Sequence, residues 1–175
     1  CASPAEGKLP PRVIPPTEIT EETRGQGTNT RHVRNILPDV STHAENLLVV
    51  EVITPAGNWS SYPPHKHDTE RPPEETAFEE IYHYRYRPEN GFGAQFRYLA
   101  DGGGGEPEVV MTRHGDTYLV DRGYHPTVRA PGHEGYIFTI LVGRHQRSLV
   151  QNFEPTHRPL MVAIPRIQAM RDKFK

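Results

Sequence analysis

Cysteine is almost missing from this chain. Cys1 stands alone among 175 residues, so no intrachain disulfide can form, a usage that fits a reducing compartment. Long apolar runs are missing too. No stretch approaches the roughly 18 residues of a membrane-spanning helix, and no charged start followed by an apolar core marks a signal peptide. These absences read as a cytoplasmic protein. Charge of one sign is not in excess: 20 basic against 22 acidic residues give a formal net charge of -2, with no global attraction to nucleic acid or to an acidic membrane surface. Hydrophobic residues make up only 34%, against 18 prolines and 15 glycines, so much of the chain is loop around one domain. The first residue is Cys rather than Met, and the chain reads as a processed product or a piece of something longer.

What is present is a series of short β-type segments. Residues 1–30 carry prolines and no periodicity and read as an extended arm or linker rather than a core element. Residues 31–37 and 47–54 (LLVVEVIT) read as strands, the second rich in β-branched residues. Residues 68–79 (DTERPPEETAFE) are acidic, broken by Pro72 and Pro73, and read as a loop. Further strands are expected at 80–87, 93–99, 107–112, 116–121 and 136–142. The run DGGGG at 101–105 lacks the Lys-Ser/Thr pair and the helix of a phosphate loop, so it reads as a hairpin tip. Trp59, the one tryptophan, reads as a structural anchor. A single helix candidate lies near residues 166–174. Short strands with frequent turns indicate an all-β sandwich or barrel.

The chemistry sits in the histidines. His65 and His67 are two apart, which on a strand points both imidazoles to one face, about 6–7 Å apart along the chain. The strand EEIYHYRY begins with carboxylates, and Glu80 is placed to add an oxygen ligand from a neighbouring strand. A fourth group appears in HGDTYLVDRGYHP: Gly123 makes a tight turn, His125 follows it, and Pro126 stiffens the position. The other histidines, His32, His43, His83, His114, His133, His145 and His157, repeat no ligand spacing beside a carboxylate and read as surface or structural residues. Lys66, between two ligand candidates, is expected to face outward.

HxH, then a Glu opening an aromatic strand, then a Gly-turn-His in a later strand is similar to the metal pattern of the cupin superfamily. More closely, WSSYPPHKHD, PPEE, EEIYHYR, GF and GYHP resemble the 5-deoxy-glucuronate isomerase family of inositol catabolism, a group of bicupin uronate isomerases. The resemblance runs from about Arg31 to Gly143 and is weaker in the arm. It departs from general cupins in the long excursion 68–79 and in the single residue, Tyr124, between Gly123 and His125.

The resemblance implies a cupin-type β-barrel (double-stranded β-helix, or jelly roll) at 31–165, behind an arm or linker at 1–30 and before a tail or short helix at 166–175, with the family's N-terminal cupin absent from this chain. It implies His65, His67, Glu80 and His125 as ligands of a divalent metal, zinc or manganese first. It implies aldose-ketose isomerisation of a sugar acid, 5-deoxy-D-glucuronate to 5-dehydro-2-deoxy-D-gluconate. Strand parity puts Tyr82 and Tyr84 on the face of Glu80, which makes them candidates for proton transfer. Gln95 and Tyr98 are candidates for substrate hydroxyls, and Arg85, Arg97, Arg113 and Arg129 for the substrate carboxylate. Partners are then a small sugar acid, neither nucleic acid nor membrane, and a second copy associating through an exposed barrel face. Two other readings stand beside this one: an iron-dependent cupin dioxygenase and a non-catalytic sugar-binding cupin.

Overall fold

Residues 5–7, 9–99 and 106–163 of this computed structural model are described. They form β1 (Thr20–Arg24), β2 (Arg31–Leu37), β3 (Leu47–Thr54), β4 (Trp59–Ser60), β5 (His65–Lys66), β6 (Phe78–Arg87), β7 (Phe92–Arg97), β8 (Glu108–Arg113), β9 (Thr117–Val120), β10 (Thr127–Arg129), β11 (Glu134–Gly143) and β12 (Asn152–Phe153). A six-stranded sheet runs β1-β2-β3-β11-β6-β9, and a four-stranded sheet runs β4-β10-β7-β8. Two short strands, β12 and β5, pair beside them. Every pairing is antiparallel. The two larger sheets face each other as an all-β jelly roll without joining into one closed ring.

Strand β6 shows why. Phe78, Glu80, Tyr82, Tyr84 and Tyr86 alternate with more exposed residues and are all buried. On β11, Ile137, Thr139 and Leu141 face the same interior. The core has one cluster of Tyr82, Tyr84, Tyr86, Val120 and Ile137 and another of Leu48, Phe78 and Leu141. Each such side chain contributes about 1.5–3 kcal/mol of burial. Polar contacts then lock sheet to sheet. Tyr84 Oη donates to Gln95 Oε1 at 2.5 Å, and Tyr86 Oη pairs with Thr112 Oγ1 at 2.5 Å. The Arg129 guanidinium lies over the Tyr84 and Tyr86 rings, at 5.3 and 5.8 Å from their centroids.

The sequence-based expectations hold for β2 and β3 to the residue, and the other expected strands shift by one or two positions. The arm needs correction. Thr20–Arg24 pairs along its length with β2 and forms an edge of the larger sheet. TEETR carries no apolar alternation because an edge strand is held by backbone bonds to one neighbour and by ion pairs such as Arg34 with Glu21, at 2.8 Å. Trp59 stacks on Phe96 at 5.4 Å, in the anchoring role expected of it. Gly-rich 101–105 and the helix candidate 166–174 lie outside the described residues. Before the latter, Pro155–Ala163 is a 3-10 segment.

Candidate metal centre

His65 opens β5, which is paired to β12 through Phe153. His67 follows just beyond the strand, where its carbonyl accepts the Phe78 amide at 2.7 Å and so is tied to the start of β6. Only His65 and Lys66 are strand, yet both imidazoles turn to one centre. Glu80 stands on β6, its side chain buried, whereas Glu79 points out and pairs with Arg144 at 2.8 Å. His125 arrives from the other direction. Gly123 takes φ +79, and a Cβ there would lie 2.7 Å from the Tyr98 carbonyl oxygen, so the turn that delivers His125 requires glycine.

One ring nitrogen from each of His65, His67 and His125 lies within 4.8 Å of the others. Each imidazole is oriented from behind by a backbone carbonyl. His65 Nδ1 is 3.1 Å from Pro63 O, His67 Nδ1 is 3.2 Å from Phe78 O, and His125 Nδ1 is 2.8 Å from Gly123 O. Those carbonyls select the Nδ1–H tautomer and leave Nε2 facing the centre. Glu80 Oε2 sits 3.0 Å from His67 Nε2 and 3.5 Å from His125 Nε2. Its other oxygen accepts the Thr139 hydroxyl at 2.6 Å.

The electrostatics agree with the geometry. Burial, then the His125 and His67 rings, hold His65 well below its ordinary value, so it is neutral. Burial also works against the His67 cation, but its hydrogen bond to Glu80 outweighs that and raises it. Burial raises Glu80, and the contacts from His125 and His67 overcome this and hold the carboxyl below the usual carboxylate range. His125 Nε2 is buried and makes no hydrogen bond. Such an orphaned nitrogen is costly unless something accepts its lone pair. Three inward Nε2 atoms and one carboxylate are a donor set that a divalent metal takes, so the residues fit such an ion.

A cavity of about 280 Å³ opens in front of this centre, reached by His65, Glu80 and Tyr82. Tyr82 Oη shares a hydrogen bond with Ser61 Oγ at 2.7 Å, and Ser61 holds φ +50, a left-handed conformation unusual for serine. Burial, then the Glu80 charge, push the Tyr82 phenol well above its ordinary value. Of the remaining candidates, Tyr84, Gln95 and Tyr98 are not among the residues that line the cavity. Tyr84 shares the inward face as parity required, but it is spent on Gln95 and Arg129. Gln95 is fully buried, and its Nε2 donates to the carbonyls of Phe96 and His125 at 2.8 and 3.0 Å, so it braces the His125 turn. Tyr98 pairs by backbone with Tyr124. Of the arginines named for a carboxylate, Arg85 and Arg113 are exposed, Arg97 binds Glu108 and Asp121, and Arg129 is sealed between the sheets. Sequence reading missed Arg24, Arg31, Ser61 and Thr139, all of which line the cavity.

The KduI/IolB family model matches residues 1–160. The chain belongs to the KduI/IolB family. A 5-deoxy-glucuronate isomerase from Geobacillus thermodenitrificans is 45% identical over 161 residues, 92% of this chain and 57% of that protein. An IolB-like protein from Salmonella typhimurium superposes with a TM-score of 0.85 at 40% identity, over 90% of this chain and 58% of that one. The chain therefore spans little more than half the length of these relatives. A predicted oxalate decarboxylase from Thermotoga maritima shares the fold alone, with a TM-score of 0.50 at 17% identity over 75% of this chain and 99% of that one, consistent with a cupin-type jelly roll.

In this KduI/IolB chain the acidic loop 68–79 is built into the site from behind. Lys66, expected to face outward, is instead only 19% exposed and pairs with Asp68 at 2.6 Å and with buried Glu75 at 2.8 Å. Glu75 is fully buried, and its Oε1 also accepts the Asp68 and Thr69 amides. Asp68 Oδ2 accepts the Gly123 amide at 2.7 Å. One carboxylate thus joins the His65–His67 segment to the turn that carries His125.

Proposed function

We propose that this chain carries the metal-binding half of a uronate isomerase, which converts 5-deoxy-D-glucuronate to 5-dehydro-2-deoxy-D-gluconate. The observation that carries this reading is the convergence of His65, His67, His125 and Glu80 on one buried point beside a cavity, in a chain 45% identical to a protein of that name. His65, His67 and His125 would hold the ion through Nε2 and Glu80 through a carboxylate oxygen, with zinc or manganese the metal of first choice. A bound divalent ion would polarise the carbonyl and so acidify the proton on the adjacent, hydroxyl-bearing carbon.

The chain's own side chains position and shield the substrate. Tyr82 Oη, paired with Ser61 Oγ, presents a proton to the sugar oxygens. The apolar wall of Val50, Val52 and Ile137 excludes water from the reacting carbons.

The test is metal content by plasma mass spectrometry together with isomerisation followed by chromatography. Wild type retains about one zinc or manganese per chain and turns the substrate over, and His125→Ala loses both. Full activity in metal-free protein would sink the mechanism. Iron with metal-dependent oxygen uptake would replace it with a dioxygenase.

A further inference from the structure

Strands β1 and β2 form a hairpin whose last register pair is Arg24 opposite Arg31. Both arginines line the cavity. Like charges directly opposite on one face of an antiparallel pair repel, and burial sharpens the cost. Arg31 is 7% exposed and donates from Nη1 to the Asn29 carbonyl at 3.0 Å. Burial, then Arg24, bring its guanidinium down to about 10, while Tyr82 and Glu22 act in the opposite sense. It is charged at neutral pH, and Tyr82 is near enough to influence that charge.

On the same wall, Glu22 accepts from Arg24 Nε at 3.0 Å and from Asn35 Nδ2 at 3.3 Å. Asp39 lines the cavity too, so two guanidinium groups stand there beside two carboxylates, and Arg31 is the more deeply buried of the two cations. A planar carboxylate inside the cavity would meet the fork of the Arg31 guanidinium in its preferred geometry.

We propose that Arg31, seconded by Arg24, is the carboxylate-binding site of the cavity and selects sugar acids over neutral sugars. A six-carbon acid then lies with its carbonyl end at the histidines, its middle along Tyr82 and its carboxylate at the hairpin. The proposal rests on the sugar-acid reading above and assigns the end of the site that meets the acid.

The test measures binding alone, by calorimetry of the purified chain with D-glucuronate and with its neutral counterpart D-glucuronamide. Wild type is expected to favour glucuronate by at least about 10-fold. Arg31→Gln weakens glucuronate by about 10- to 100-fold and leaves glucuronamide within about twofold, so the preference disappears. Arg24→Gln reduces the preference in part, and Arg31→Lys keeps a fraction of it. If Arg31→Gln does not fold, those two variants decide the matter by the same ratio. Equal weakening of both ligands would make Arg31 a brace for the hairpin loop and overturn the proposal, as would an unchanged ratio or a wild type without preference. Turnover is never read. Failure of isomerisation with the ratio intact overturns the catalytic reading and leaves the carboxylate site standing.

Discussion

Thr139 and Ser61 do work at the residue scale that local sequence does not announce. Thr139 belongs to an otherwise apolar strand, YIFTILV, and meets Glu80 only because β11 pairs with β6, where Thr139 stands opposite Tyr82. Its hydroxyl fixes the free oxygen of the carboxylate. Thr139→Val is expected to weaken metal retention by about 10-fold, measured by competition with a chelator, with the fold intact. Ser61 pairs a strained backbone with the Tyr82 hydroxyl. Ser61→Gly relieves the left-handed conformation and loses that bond, so thermal stability should hold or rise while kcat falls, and Ser61→Ala should lose in both measurements. His65, His67, Glu80 and His125 were legible because each lies in a short pattern of its own: HxH, a carboxylate opening an aromatic strand, and Gly-x-His-Pro. Arg31, Thr139 and Ser61 were not, since their approach to the cavity depends on strand partners far away in sequence.

At the scale of elements, parity was legible and reach was not. The alternation in EEIYHYRY orients Glu80, Tyr82 and Tyr84 inward, but it cannot say that Tyr84 is stopped by Gln95 and Arg129 short of the cavity. The short strands β4, β5, β10 and β12 exist through pairing rather than propensity, and none stands out in the sequence. The loop that follows His67 is pinned at two points, by its buried Glu75 and by the Asp68 contact with Gly123. Asp68 carries a pH signature. Burial raises its carboxyl, but bonds from Lys66, Gly123 and Thr69 outweigh that and hold it below the usual range. A depressed carboxylate stabilises the fold above its unfolded value, near 4, and that contribution fades as pH falls toward the folded value. Asp68→Asn should therefore cost about 1–2 kcal/mol at pH 7 by denaturant unfolding, with the difference shrinking below about pH 4.

For the whole molecule, the proposed metal would link site to fold. A ligand present at about 100 times its dissociation constant adds about 2.7 kcal/mol, or roughly 5–10 °C in a domain of this size. Chelation should lower the melting temperature of wild type by that amount and leave His65→Ala unmoved. The outer face of the four-stranded sheet is apolar. Val109 and Met111 are 59% and 51% exposed, opposite Phe96 and Ala94. An open patch of this kind favours association, and replacing both residues by lysine should shift the sedimentation profile toward the single chain. Among the described residues no helix is long and apolar enough to cross a membrane. The placement of the β1–β2 hairpin has one more consequence. Glu80 and Thr139 of the candidate metal centre stand on β6 and β11, strands paired on both sides, whereas Arg24 stands on β1, the edge strand bonded to β2 alone, with Arg31 one strand further in. On the proposed reading, a change at Arg24 would alter which acids are admitted without touching the strands that carry Glu80 and Thr139.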